Sequence, residues 1–104
     1  MTTLSTHVLD AVLGRPAEGM TVRAFHGGSQ VDHGVTDADG RLRFAVPLVP
    51  GEHSLVFATG PWFAERRRET FYPEVTVAFS VTEEEHLHVP ILLSPFAYST
   101  YRGS

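Results

Sequence analysis

The chain has 104 residues, with 12 acidic side chains against 8 basic ones and a formal net charge of −4. Its 42% hydrophobic and 19% charged content exclude a disordered chain, and its length suits one domain over residues 1–104. The acidic balance speaks against a nucleic-acid partner, and the absence of cysteine removes disulfide scaffolds, thiolate zinc sites and cysteine nucleophiles.

The first sixteen residues carry neither a basic region nor a long apolar stretch, so no secretory signal is expected. No window approaches the ~20 apolar residues of a membrane span, so no membrane partner is expected. From there the dominant period is two. Strands are expected at Leu4–Ala11, Met20–His26 and Val31–Thr36, separated by Gly14-Arg15-Pro16 and Gly27-Gly28. Asp37-Ala38-Asp39-Gly40 is a strong turn, because Asp and Gly tolerate the left-handed backbone. Arg41–Val46 follows, with Leu42, Phe44 and Val46 on one face and Arg41 and Arg43 on the other. After Pro50-Gly51 a strand is expected at Glu52–Ala58.

Only Pro61–Glu69 reads as a helix, since Pro suits the first turn and Trp62 and Arg66 are four apart. Its Arg66-Arg67-Arg68 run, flanked by Glu65 and Glu69, reads as a solvated helix face. The clearest strand is Pro73–Val81, with Val75, Val77, Phe79 and Val81 on one face. Glu85–Leu93 repeats the pattern, with Leu87, Val89 and Ile91 against His86, His88 and Pro90. Ser94-Pro95 breaks the chain before a last strand at Ala97–Tyr101. Many short strands and one short helix predict an antiparallel β-sandwich.

Six histidines are the most chemically informative residues. His86 and His88 are two apart on one strand and project from the same face, opposite its core side. Arg41 and Arg43 are likewise turned away from the core. These pairs read either as solvated surface or as an ionisable cluster on rigid strands. A His-x-His pair can also supply two zinc ligands, but no further His or carboxylate stands at a telling distance downstream. His26, His33 and His53 read as turn or surface residues. Ser5, His7 and Asp10 share a strand, yet alternation sends Asp10 to the face opposite Ser5 and His7. There is no nucleophile-elbow motif and no phosphate loop.

The tail is the most distinctive segment. His86-Leu87-His88-Val89-Pro90-Ile91-Leu92-Leu93-Ser94-Pro95-Phe96-Ala97-Tyr98-Ser99-Thr100, closed by Tyr101-Arg102-Gly103-Ser104, resembles the C-terminal signature of the transthyretin-like 5-hydroxyisourate hydrolases. The terminal Tyr-Arg-Gly-Ser separates those enzymes from the hormone-binding transthyretins. Leu4–Asp10 with Gly14-Arg15-Pro16-Ala17, Thr36–Arg41 and Phe71–Val75 resemble further blocks of the family, in register over essentially the whole chain. Ala97 departs from it, standing where the family usually has Gly.

The resemblance implies a transthyretin-like sandwich of two four-stranded sheets with the short helix near residues 61–69. It implies a homotetramer, a dimer of dimers, with active sites at the dimer–dimer interface. It also implies hydrolysis of 5-hydroxyisourate to 2-oxo-4-hydroxy-4-carboxy-5-ureidoimidazoline in urate degradation, with no metal and no cofactor. His7, Arg41, His88 and Ser104 are then the catalytic candidates. His7, Arg41, Tyr101, Arg102 and Gly103 are the candidates for binding substrate, and His86 is a neighbour.

His7 and His88 suit water activation and proton transfer, since imidazole titrates at about 6.5; which does which stays open. Arg41 offers a planar donor fork for a ureide carbonyl. Tyr101 can stack on a flat heterocycle, Arg102 can pair with substrate oxygens or a neighbouring subunit, and Gly103 allows close backbone approach. A cytoplasmic location is the default expectation. Two other readings stand beside the hydrolase: a transthyretin-like small-ligand carrier using the same channel, and a zinc hydrolase built on His86 and His88.

Overall fold

The computed structural model describes every residue, Met1–Ser104. In chain order its elements are β1 (Thr3–Asp10), β2 (Arg15–Pro16), β3 (Thr21–His26), β4 (Ser29–Val35), β5 (Arg41–Arg43), β6 (Gly51–Phe57), α1 (Thr59–Glu65), β7 (Val75–Val81), β8 (His86–Ser94) and β9 (Ala97–Thr100). One sheet runs β4-β3-β6-β7. The other runs β2-β1-β8-β9, and β5 also pairs with β1. β8 occupies one edge of β1, so β2 and β5 follow one another along its other edge. Each sheet is therefore four strands wide, and the two form a transthyretin-like sandwich.

Alternation explains the packing. In β1, Leu4, Thr6, Val8 and Asp10 are buried while Ser5, His7 and Leu9 are half-buried. In β8, Leu87, Val89, Ile91 and Leu93 are buried. They meet Val22 and Ala24 of β3, Leu55 and Phe57 of β6, and Val75 and Val81 of β7 in one apolar cluster of 18 residues. Each fully buried aliphatic or aromatic side chain contributes about 1.5–3 kcal/mol.

Several details differ from the pattern-based expectation. The sandwich is antiparallel except for β1 and β8, which pair in parallel from Thr3 opposite His86 to Asp10 opposite Leu93. Parallel neighbours need a long crossover, and the chain between them supplies it by building the whole second sheet. Pro90, on the outward face opposite His7, is nevertheless buried, and Val46 is 42% exposed because β5 ends at Arg43. His53 is a core residue, 3% exposed. It shares the inward face of β6 with Leu55 and Phe57, and its ring lies 4.1 Å from His26 and 6.2 Å from Phe79.

The helix covers Thr59–Glu65 instead of 61–69. Thr59 Oγ1 donates to the Tyr72 carbonyl and Trp62 Nε1 to the Glu18 carbonyl, both at 2.7 Å, which anchors its start and inner face. Arg66 ends it, and Arg67 follows with a positive φ of 55°. The arginine run is thus not a solvated helix face. Arg66 lies 4.0 Å over the Trp62 ring and donates to the Glu18 carbonyl. Arg68 pairs with the carboxylate of Asp10, which is 1% exposed.

Candidate active site

Three strands of the β2-β1-β8-β9 sheet, β1, β5 and β8, converge on one outward face. In β1 the outward residues are Thr3, Ser5 and His7. The antiparallel register with β5 sets His7 opposite Arg41 and Ser5 opposite Arg43. The parallel register with β8 sets Ser5 opposite His88 and Thr3 opposite His86. Paired residues point to the same side, and neighbouring strands lie about 4.8 Å apart. Five polar or basic side chains, Arg41, His7, Arg43, Ser5 and His88, are thus laid out across three strands.

The turn before β5 completes the edge. Asp37 Oδ1 accepts from the Asp39 and Arg41 amides, both at 2.9 Å, and so shapes the tight loop that launches Arg41. The same turn holds the Asp39 carbonyl 2.8 Å from His7 Nε2. A carbonyl only accepts, so Nε2 of His7 carries the hydrogen in this bond.

The tail closes the other side. After β9 the chain folds back along β8, and the Gly103 amide donates to the His88 carbonyl at 2.8 Å. A Cβ on Gly103 would stand 2.5 Å from His88 Cδ2, so the tail backbone lies directly against the imidazole. Glycine at 103 is a packing requirement.

These elements enclose a cleft of about 300 Å³ lined by Ser5, Thr6, Arg41, Leu42, Arg43, His86, His88 and Ser104. Leu42 is its one apolar residue. His88 is anchored by a 2.7 Å hydrogen bond between its Nδ1 and Ser5 Oγ. Burial pushes its pKa below the ordinary value of 6.5, and the Arg41 guanidinium and the neighbouring His7 and His86 rings push the same way, against a hydrogen bond at the Ser5 backbone. The imidazole is therefore neutral at physiological pH. A neutral, basic ring nitrogen beside a guanidinium fork suits water activation next to a carbonyl that gains negative charge.

Of the seven site residues expected from the sequence, Arg41, His88 and Ser104 line this cleft, and Gly103 seats the tail against His88. His7 lies on the same face beside Arg41 but does not line the cleft of the single chain. Tyr101 and Arg102 line a second, more apolar cleft of about 310 Å³ between β7 and β8, with Val77, Phe79, Leu87 and Val89. Thr3, Ser5 and Arg43 are cleft or network residues that the list of candidates omits. Their signal was present, because they share the period-two face of His7 and Arg41. There is no group of three His, Cys, Asp or Glu placed to hold a metal.

The model of the HIUase/Transthyretin family matches residues 4–103. A 5-hydroxyisourate hydrolase of Salmonella dublin is 42% identical, over 97% of this chain and 80% of that protein. The structure of Klebsiella pneumoniae 5-hydroxyisourate hydrolase superposes with a TM-score of 0.94 at 43% identity, covering all of both chains. Sea bream transthyretin in complex with thyroxine superposes with a TM-score of 0.88 at 28% identity, over 96% of this chain and 93% of that one. A sandwich shared with a 5-hydroxyisourate hydrolase and with a transthyretin over nearly all of the chain, and a family match from residue 4 to residue 103, lead to one assignment: the chain belongs to the HIUase/Transthyretin family.

Proposed function

We propose that this chain is a 5-hydroxyisourate hydrolase, acting as a single domain over residues 1–104. It opens an amide bond of the six-membered ring with water and yields 2-oxo-4-hydroxy-4-carboxy-5-ureidoimidazoline. The observation that carries the reading is the polar cleft in which neutral His88, Arg41 and the terminal Ser104 meet. The hydrolase names of its relatives agree with it. A carrier has no need of an imidazole, a guanidinium and a chain terminus brought together in one polar cleft.

His7, Arg41, His88 and Ser104 form the catalytic set, and Tyr101, Arg102 and Gly103 join His7 and Arg41 in holding substrate. His88 and His7 position and activate water. Arg41 holds the ureide carbonyl and stabilises the oxyanion that forms on attack. No metal or cofactor enters the scheme. A homotetramer, built as a dimer of dimers with sites at the dimer–dimer interface, belongs to the proposal and rests on the family resemblance. It would bring the Tyr101–Arg102 segment and His7 of neighbouring copies into one channel. A cytoplasmic location belongs to the proposal as well.

The test is an ultraviolet time course. 5-Hydroxyisourate is generated in situ by urate oxidase and its decay is followed with the full chain and with a chain lacking Tyr101–Ser104. The proposal expects decay well above the spontaneous rate with the full chain, and loss of that acceleration in a truncated protein of unchanged fold and size by light scattering. Decay at the spontaneous rate with the full, folded chain contradicts it.

A further inference from the structure

We propose that Thr3, His86 and Ser5 form a directed hydrogen-bond chain that fixes the tautomer of His88, leaving Nε2 of His88 as the general base of the cleft. This rests on the hydrolase reading and deepens it. His86 and Ser5 are positioning residues in this account, since they act through His88.

The chain follows from the parallel register of β1 and β8, which sets Thr3 beside His86 and Ser5 beside His88. Thr3 Oγ1 donates to the Glu85 carbonyl at 3.2 Å. A carbonyl has no hydrogen to give, so the Thr3 oxygen is left to accept. The atom facing it, at 2.6 Å, is His86 Nδ1, which therefore carries hydrogen. A His86 singly protonated at Nδ1 has its lone pair on Nε2, 2.8 Å from Ser5 Oγ, and the Ser5 hydroxyl donates there. The Ser5 oxygen in turn accepts from His88 Nδ1 at 2.7 Å. A neutral His88 protonated at Nδ1 has its lone pair on Nε2. One carbonyl, at the far end of four hydrogen bonds, thus decides which nitrogen of His88 is basic.

The same path disposes of the proton. His88 faces Arg41 of β5, His7 of β1, His86 of its own strand and the Gly103–Ser104 tail, while Arg43 of β5 stands opposite Ser5. A lasting imidazolium at 88 is unfavourable beside the Arg41 guanidinium and in its partly buried place. When Nε2 takes a proton from water, the Nδ1 proton passes to Ser5 Oγ as the Ser5 proton passes to His86 Nε2. Hydroxide is left to attack the ring carbonyl, and the positive charge rests on His86, whose bond to Thr3 lies at the exposed end of the chain. His88 is then neutral with hydrogen on Nε2, the form that can protonate the leaving nitrogen. When it does so, the protons shift back along the chain and the starting tautomer returns.

The first test reads the tautomer without catalysis. Long-range proton–nitrogen correlation spectra of the uniformly nitrogen-15-labelled full chain, above neutral pH, are expected to show His88 protonated at Nδ1. A His88 protonated at Nε2 overturns the proposal. The second test is Ser5→Ala, expected to lower kcat for 5-hydroxyisourate about tenfold or more with KM within about twofold, since a general base is worth about 10²–10⁴. Ser5→Thr, which keeps the hydroxyl, is expected to recover most of the rate. Ser5→Ala with wild-type kcat and an unchanged melting temperature overturns the proposal. A wild-type protein that never accelerates decay sinks the hydrolase reading instead, while the spectra still decide the tautomer.

Discussion

Adding one methyl group at Gly103 should disable the site without unfolding the protein. An ideal Cβ there falls 2.5 Å from His88 Cδ2, 3.2 Å from Cγ and 3.3 Å from Cβ. Carbon atoms rest at about 3.5–4.0 Å, so Gly103→Ala creates an overlap of about 1 Å. Two relaxations are available. If the His88 ring turns away, its 2.7 Å bond to Ser5 Oγ is lost. If the tail lifts, the 2.8 Å bond from the Gly103 amide to the His88 carbonyl is lost and Ser104 leaves the cleft with it. One net hydrogen bond is worth about 1 kcal/mol, or about fivefold in rate. A displacement of about 1 Å in a positioned catalytic group can cost about a hundredfold. Gly103→Ala should therefore lower kcat/KM for 5-hydroxyisourate by about 5- to 100-fold in the ultraviolet assay. The tail is mostly exposed, so the melting temperature should stay within about 2 °C of wild type. A variant that is fully active, or one that is inactive only because it has unfolded, refutes the reasoning.

Other perturbations separate structure from chemistry. Arg68→Ala strands the buried Asp10 carboxylate and should cost about 3 kcal/mol in urea unfolding. Burial raises the Asp10 pKa, but the Arg68 side chain and the Leu13 and Val12 amides outweigh it and hold the group below its ordinary 3.8. The stability it contributes is thus present above that value and lost as pH falls through the folded pKa, so the Arg68→Ala deficit should shrink in strong acid.

In the proposed mechanism activity needs neutral His88, so kcat/KM should fall on the acid side as pH drops through a His88 pKa below 6.5. Arg41→Gln removes one of the charges that lower that pKa. It should move the acid limb to higher pH as well as reduce the rate; an unmoved limb shows that Arg41 does not act on His88. Gly40 has φ +74°, and a Cβ there would collide with the Val8 carbonyl. Gly40→Ala should destabilise the chain by about 1–3 kcal/mol and weaken activity by displacing the Asp39 carbonyl that orients His7. Wild-type stability in that variant contradicts the turn assignment.

The site was legible in the sequence to the extent that period two is legible. Alternation in Glu85–Leu93 put His86 and His88 on one outward face, and alternation in Arg41–Val46 did the same for Arg41 and Arg43. Strand pairing is a tertiary property, so nothing in those runs tells that β8 pairs in parallel with β1. That pairing brings Ser5 to His88, so the sequence alone offers Ser5 only in a triad with Asp10 that alternation disfavours. Asp10 does leave that face, as alternation requires, and its burial is matched by Arg68, fifty-eight residues along the chain. The arginine run reads as solvated because local charge pattern does not reveal a distant buried carboxylate or the Trp62 face. His53 fails for the same reason: a polar residue name hides an inward position that Leu55 and Phe57 mark on the same strand. The tail was legible only through resemblance, since a terminal tetrapeptide has no periodicity to place it against β8.

The central claim is that the face around His88 is the catalytic centre. The most direct measurement is the decay of 5-hydroxyisourate under wild-type protein and under His88→Ala at matched concentration, fold and oligomeric size. The account predicts rapid decay with wild type and a rate close to the spontaneous one with His88→Ala, because His88 is the imidazole that lies against the Gly103–Ser104 tail inside the Arg41–Ser104 cleft. A folded His88→Ala protein that opens the ring as fast as wild type contradicts it.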